Sequence, residues 1–123
     1  MRVGERSIGE VTILDIVGPL TDDDDVNIGL RDTLTRLIQA GRVQLLVNLA
    51  AVPSVGSAAL GALAHGYISA SRRGGTLKIT GVSPRVHQML VMTRLASVFD
   101  AFDREAEAVA SFTATPPPQT PTR

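Results

Sequence analysis

Residues Leu46 to Gly61 read Leu-Val-Asn-Leu-Ala-Ala-Val-Pro-Ser-Val-Gly-Ser-Ala-Ala-Leu-Gly, an apolar strand, a short loop and the start of an apolar helix. The loop delivers one hydroxyl, that of Ser57, to the first position of the helix. A serine there has two uses. It can cap the helix by accepting a backbone N–H, worth ~1 kcal/mol against alanine. It can also stand free, as a group that a partner reads and that accepts a phosphoryl group. As a cap, Ser57 would have Leu60 at the third helical position, so no reciprocal capping box is present. The helix it opens carries no charged side chain before Arg72, and Ala58, Ala62, His65 and Ser69 fall opposite its leucine stripe. A solvated outer face normally holds Lys, Glu or Arg. A small, neutral one suits docking, or packing on both sides within the monomer. The candidate partner-binding residues are Ser54, Gly56, Ser57, Ala58, Ala62 and His65, with Ser57 the candidate phosphorylation site.

Other side chains offer less chemistry. Counted as a calcium loop from Asp22, the run Asp22–Asp25 has Asn27 at the sixth position, where Gly is needed. Its twelfth position is Thr33, where Glu is needed. The run reads instead as acidic residues complementing a helix N-terminus. His65 and His87 are the only imidazoles, there is no cysteine, and zinc-ligand spacing is missing, so neither metal nor cofactor is expected. Ser57 and His65 lie ~12 Å apart along one helix, too far for a nucleophile–base pair. The context Val55-Gly56-Ser57-Ala58-Ala59 is no nucleophile elbow, and Gly74-Gly75 opens no phosphate-binding loop. The expected protein is not an enzyme.

Composition narrows the class further. The chain has 123 residues, enough for one core, and aromatics are only 3%. That core must be made of Leu, Val, Ile and Ala. Twelve basic residues balance twelve acidic ones, which leaves no electrostatic footprint for nucleic acid. The N-terminus lacks the apolar stretch of a signal peptide, and no run approaches a membrane span. The expectation is a cytoplasmic protein that does not insert into a membrane.

Strand and helix signals alternate around the Ser57 loop. Glu10 to Val17 is β-branched and closed by Gly18-Pro19, with part of the first ten residues pairing as an edge strand. Val26, Leu30, Leu34, Leu37 and Ile38 share one helix face, with Asp32 and Arg36 four apart on the outer face. Gln44 to Leu49 is a continuous apolar run suited to a strand covered on both faces. Leu60, Leu63, Ala64, Tyr67 and Ile68 form the inner stripe of a helix from Ser57 to about Ser71. Thr76 to Thr80 is a strand, and Ser83-Pro84 starts a helix with Val86, Met89, Leu90 and Thr93 inward. Val98 to Ala101 is a short strand, and Asp103 opens a last helix reaching about Ser111. This alternation predicts a single α/β domain over 1–112 with a mixed, mostly parallel sheet of four to five strands and about four helices. The proline-rich segment 113–123 is expected to be a disordered tail.

Three segments together resemble the STAS domain family of bacterial anti-sigma factor antagonists, over roughly residues 5 to 112. Leu46 to Leu63 is similar to that family's strand, Asp-Ser-Ser-Gly loop and Leu-Gly helix. Gly74 to Val86 is similar to its glycine-bounded strand and the proline-started helix after it. Met92-Thr-Arg-Leu-Ala-Ser-Val-Phe99 resembles its Leu-Thr-Gly-Leu-x-x-Leu-Phe. Against the loop motif, the family's Asp is Gly56, its second Ser is Ala58 and its Gly is Ala59, while its first Ser is Ser57.

The resemblance implies an interaction module switched by phosphorylation. The unmodified antagonist binds an anti-sigma factor that is a serine kinase, which frees a sigma factor for transcription. Phosphorylation of the first Ser, here Ser57, reverses this, and a serine phosphatase resets it. Gly56 removes a carboxylate from beside the hydroxyl. That loss favours a second expectation: a STAS subunit docking on the ATPase of a membrane lipid transport assembly. A third is a scaffold component of a STAS signalling complex. A single copy and a self-associated assembly both stay open.

Overall fold

The computed structural model describes residues 2–113. β1 (Arg2–Ile8) turns through Gly9-Glu10 into β2 (Val11–Val17), and the two pair antiparallel from Arg2↔Val17 to Ile8↔Val11. Thereafter strand and helix alternate: α1 (Asp24–Gln39), β3 (Gln44–Ala51), α2 (Ser57–Arg72), β4 (Thr76–Thr80), α3 (Pro84–Met92), β5 (Ala101–Phe102) and α4 (Glu105–Thr113). The sheet order is β1-β2-β3-β4-β5, with every pair after the first parallel. The expected mixed, mostly parallel α/β architecture holds.

The sheet's two faces follow the two-residue period of its strands. Leu14 and Ile16 of β2, Leu45, Val47 and Leu49 of β3, and Leu77 and Ile79 of β4 meet one large core. To it α1 adds Leu30, Leu34, Leu37 and Ile38, α2 adds Leu60 and Leu63, and α3 adds Val86 and Leu90. Val11, Ile13 and Leu46 point the other way and meet Ala108 of α4, with Phe102, Val109 and Phe112 around them. The apolar run of β3 is thus covered on both sides, as its sequence requires.

Some local expectations are corrected. Residues 95–100 form turns rather than a strand, and β5 holds only Ala101 and Phe102. The apolar residues there, Leu95, Val98 and Phe99, are spaced three and four apart, so a turn packs all three against the large core. Arg36 does not pair with Asp32; it reaches Glu5 on β1. The last helix extends to Thr113, and residues 114–123, where the tail was expected, lie outside the described residues.

Candidate functional site

Two loops at the ends of neighbouring parallel strands build the surroundings of Ser57. The chain leaving β2 and the chain leaving β3 stay hydrogen-bonded beyond the strands themselves. Gly18 N–H donates to the Ala51 carbonyl at 3.0 Å, and Leu20 N–H to the Ser54 carbonyl at 2.9 Å. Gly56 N–H returns a bond to the Leu20 carbonyl at 2.7 Å, which makes Leu20 and Val55 a parallel bridge. The side chains of Leu20, Val52 and Val55 are buried beneath these bonds. Apolar anchors below and main-chain bonds along the ladder therefore fix the loop that presents the serine.

The helix begins one residue earlier than a serine cap would require. Gly56 is the N-cap, extended at φ −87° and ψ 165°, and its carbonyl accepts the Leu60 N–H at 3.1 Å. Ser57 is the first helical residue and is exposed. Among the described residues its hydroxyl has no hydrogen-bond partner within the chain. The capping role falls to a residue that sequence reasoning assigned elsewhere: Asp22, from the loop after β2, accepts the Ala58 N–H through Oδ1 at 3.2 Å. Of the acidic run, Asp23 caps α1 by accepting the Asp25 N–H at 2.8 Å, and Asp24 and Asp25 fill the first turn of α1. Four aspartates serve two helix ends. The signal was present in the sequence as one acidic residue more than a cap and first turn need.

Gly56 and Asp22 are sterically interlocked. A Cβ added to Gly56 would stand 2.2 Å from Asp22 Oδ1 and 2.8 Å from its Cγ. Such distances are far inside van der Waals contact, so the carboxylate occupies the volume that a side chain at position 56 would fill.

The predicted docking face needs one correction. Ala62 is only 1% exposed and belongs to the seam between α2 and α1. Ala59, Ala62, Gly66 and Ala70 form a buried small-residue row on α2, and a Cβ at Gly66 would lie 3.0 Å from Leu34 Cδ1 of α1. The small residues there serve close helix packing, not a partner. Ser57, Ala58, Gly61, His65 and Ile68 are what α2 leaves exposed before Ser71. That surface is uncharged, as expected for the helix, although its membership shifts by one row. Ser54 is half-buried, with its carbonyl engaged by Leu20.

Beside Ser57 the first turns of α1 and α2 border a groove lined by Asp24, Asn27, Ile28, Arg31, Ala58 and Gly61. Ile28 is 57% exposed there, a large apolar side chain on an otherwise polar helix face. At the opposite end of α2 stand Arg72 and Arg73, the latter bonded to the Ile38 carbonyl at 3.0 Å. The face is therefore acidic at one end, neutral in the middle and basic at the other. Among the described residues no cluster of His, Asp or Glu could hold a metal ion, and no helix is long and apolar enough to cross a membrane.

The architecture has close counterparts among solved structures. An anti-sigma factor antagonist from Mycobacterium paratuberculosis superposes with a TM-score of 0.80 at 18% identity, covering 91% of this chain and 93% of its own. The Bacillus cell fate determinant SpoIIAA in its phosphorylated form gives 0.69 at 15% identity, covering 89% and 97%. A sulfate transporter family protein from Wolinella succinogenes gives 0.70 at 22% identity, covering 86% and 87%. No curated protein matches the chain by sequence. The family model for the STAS domain matches residues 5–108, so nearly the whole described fold, the Ser57 loop included, falls within it and the chain belongs to the STAS domain family.

Proposed function

We propose that this protein is an anti-sigma factor antagonist that docks on an anti-sigma factor serine kinase through the exposed face of α2 and is switched by phosphorylation of Ser57. The observation that carries the reading is the state of that hydroxyl. It is exposed at the first position of α2, without a hydrogen-bond partner among the described residues, and borders the neutral Ala58–Gly61–His65 surface. One structural counterpart is itself known in a phosphorylated form, which is consistent with a switch of this kind.

In the transfer, Ser57 Oγ attacks the terminal phosphorus of ATP held by the kinase. The bond to the bridging oxygen breaks, ADP leaves, and the hydroxyl proton passes to a base on the kinase. The product carries about −1.5 to −2 charges at neutral pH. The positive end of α2 tolerates an anion there, so the fold survives. The interface does not: a dianion now faces whatever packed on a neutral surface. One unpaired like-charge contact at ~4 Å costs on the order of 4 kcal/mol at an effective dielectric near 20. That is roughly a thousandfold in affinity. A serine phosphatase would restore the binding form.

The test is capture followed by chemistry. The protein is used to pull its partner from the lysate of its own organism, and the captured kinase is then supplied with ATP. Intact-mass measurement should show one added phosphoryl group on the wild type and none on Ser57→Ala. Addition at Ser54 would refute the site. A transporter ATPase as partner, with no phosphoryl group gained, would turn the function toward a transport assembly; several STAS chains would turn it toward a signalling scaffold.

A further inference from the structure

We propose that Asp22 is the positioning residue of the Ser57 site, and that residues 22 and 56 share a single carboxylate place between them. The role proposed for this place in phosphoryl acceptance rests on the reading of Ser57 given above; the exchange itself does not. Three observations lead to it. Gly56 heads α2 without any side chain to cap it, yet α2 is capped, because Asp22 Oδ1 accepts the Ala58 N–H at 3.2 Å. The Asp22 carboxylate fills the space a side chain at 56 would take, with 2.2 Å between Oδ1 and an added Cβ. The backbone delivering Asp22 is held in register with the backbone delivering Gly56 by the paired bonds between Leu20 and its neighbours Ser54 and Gly56.

The consequence is a rule about occupancy. Any side chain at 56 must push the Asp22 carboxylate off the Ala58 N–H, so a carboxylate at 56 and one at 22 exclude each other by both volume and charge. A carboxylate at 56 alone would sit beside the same amides from within the chain of α2. A carboxylate at the start of α2 is thus present in this protein, on the amide of the residue after Ser57, but arrives from the loop after β2.

The test is a four-protein comparison: wild type, Asp22→Gly, Gly56→Asp and the double variant D22G/G56D. Asp22→Gly should lower the melting temperature by about 4 °C, the usual effect of losing one cap on a domain of this size. Gly56→Asp should lower it at least as far. The double variant should recover most of the loss, and the Ala58 amide resonance, shifted in each single variant, should return toward its wild-type position. Should Gly56→Asp fail to fold, the double variant against Asp22→Gly alone decides. A double variant no better than the sum of the two losses, or an Ala58 amide indifferent to Asp22→Gly, overturns the proposal. With the captured kinase and ATP, the phosphorylation rate of Ser57 should fall at least tenfold in Asp22→Gly and recover in the double variant. If the wild type accepts no phosphoryl group, the functional reading falls while the melting and amide comparison still decides the exchange. If Ser57 is phosphorylated but the double variant does not recover, the exchange falls alone.

Discussion

Arg6 of β1 grips both carboxylate oxygens of Asp15 on β2, Nε to Oδ2 at 2.5 Å and Nη2 to Oδ1 at 2.9 Å. The same guanidinium reaches Glu105 of α4, and Asn48 of β3 donates to Asp15 at 2.8 Å. One arginine thus ties the hairpin to the helix that covers the second sheet face. Its hydrogen bonds hold the Asp15 carboxyl below the usual carboxylate range, against the opposing effect of partial burial. A carboxyl whose pKa is lower in the folded state stabilises the fold above its unfolded pKa, and that stability fades as pH falls through the folded value. The protein should therefore lose stability below about pH 4. In Arg6→Ala this acid-dependent loss should shrink. At neutral pH Arg6→Ala should cost no more than about 1 kcal/mol, because both side chains are partly exposed and solvent screens the pair. Urea unfolding across pH 2.5 to 7 checks both parts. An unchanged acid slope in the variant would contradict the assignment.

Arg94 ends α3 in a backbone conformation that glycine adopts more easily. Its φ is +64°, the only positive value on a non-glycine residue among those described. Leu95 N–H donates to the Leu90 carbonyl at 2.8 Å and Arg94 N–H to the Val91 carbonyl at 3.1 Å, the pair of bonds of a Schellman cap. A side chain in that conformation costs about 1 kcal/mol. Arg94→Gly should thus raise the melting temperature, by up to about 2 °C once the entropy of glycine is allowed for. A lowered melting temperature would mean that the arginine side chain stabilises the fold by more than the strain costs.

Two glycines should respond to alanine in opposite directions. Gly61 lies exposed within α2, and a Cβ there meets nothing within 4 Å. Gly61→Ala should stabilise by up to about 1 kcal/mol through helix propensity. At Gly75 a Cβ would stand 2.1 Å from the Val43 carbonyl oxygen, where the backbones of the two strand entries nearly touch. Gly75→Ala must separate them and should cost more than about 2 kcal/mol, because the main-chain bond from Thr76 to Val43 at 2.9 Å is strained with it. Differential scanning calorimetry on the two variants checks the pair.

Local periodicity made most of the fold legible. Of the expected inner stripe of α2, Leu60, Leu63, Ala64 and Tyr67 meet the core while Ile68 turns outward at 48% exposed, and Leu45–Leu46–Val47 is buried on both faces because each strand residue alternates sides. The same one-dimensional logic failed where two segments distant in sequence meet. Ala62 sits opposite the leucines on a helical wheel, yet α1 crosses just there, and only the crossing position could reveal its burial. Asp22 looked like part of one acidic first turn, because its true partner, Ala58, is thirty-six positions away. The sequence leaves Ser57 two uses, as a cap or as a free hydroxyl, because nothing local names another capping residue. Once Asp22 takes that role, the hydroxyl is left for other work, and the departure at Gly56 acquires a steric cause.

The central claim is that the neutral face beginning at Ser57 binds a partner and that charge at Ser57 breaks the contact without harming the fold. Isothermal titration of wild type and Ser57→Asp against the captured serine kinase, with melting curves recorded in parallel, tests this most directly. The substitution should weaken binding at least a hundredfold, about 2.7 kcal/mol. The melting temperature should move by less than about 2 °C, since the helix dipole favours the new carboxylate while Asp22 opposes it. Equal affinity for the two proteins, or a loss of binding matched by a loss of folding, would contradict the account.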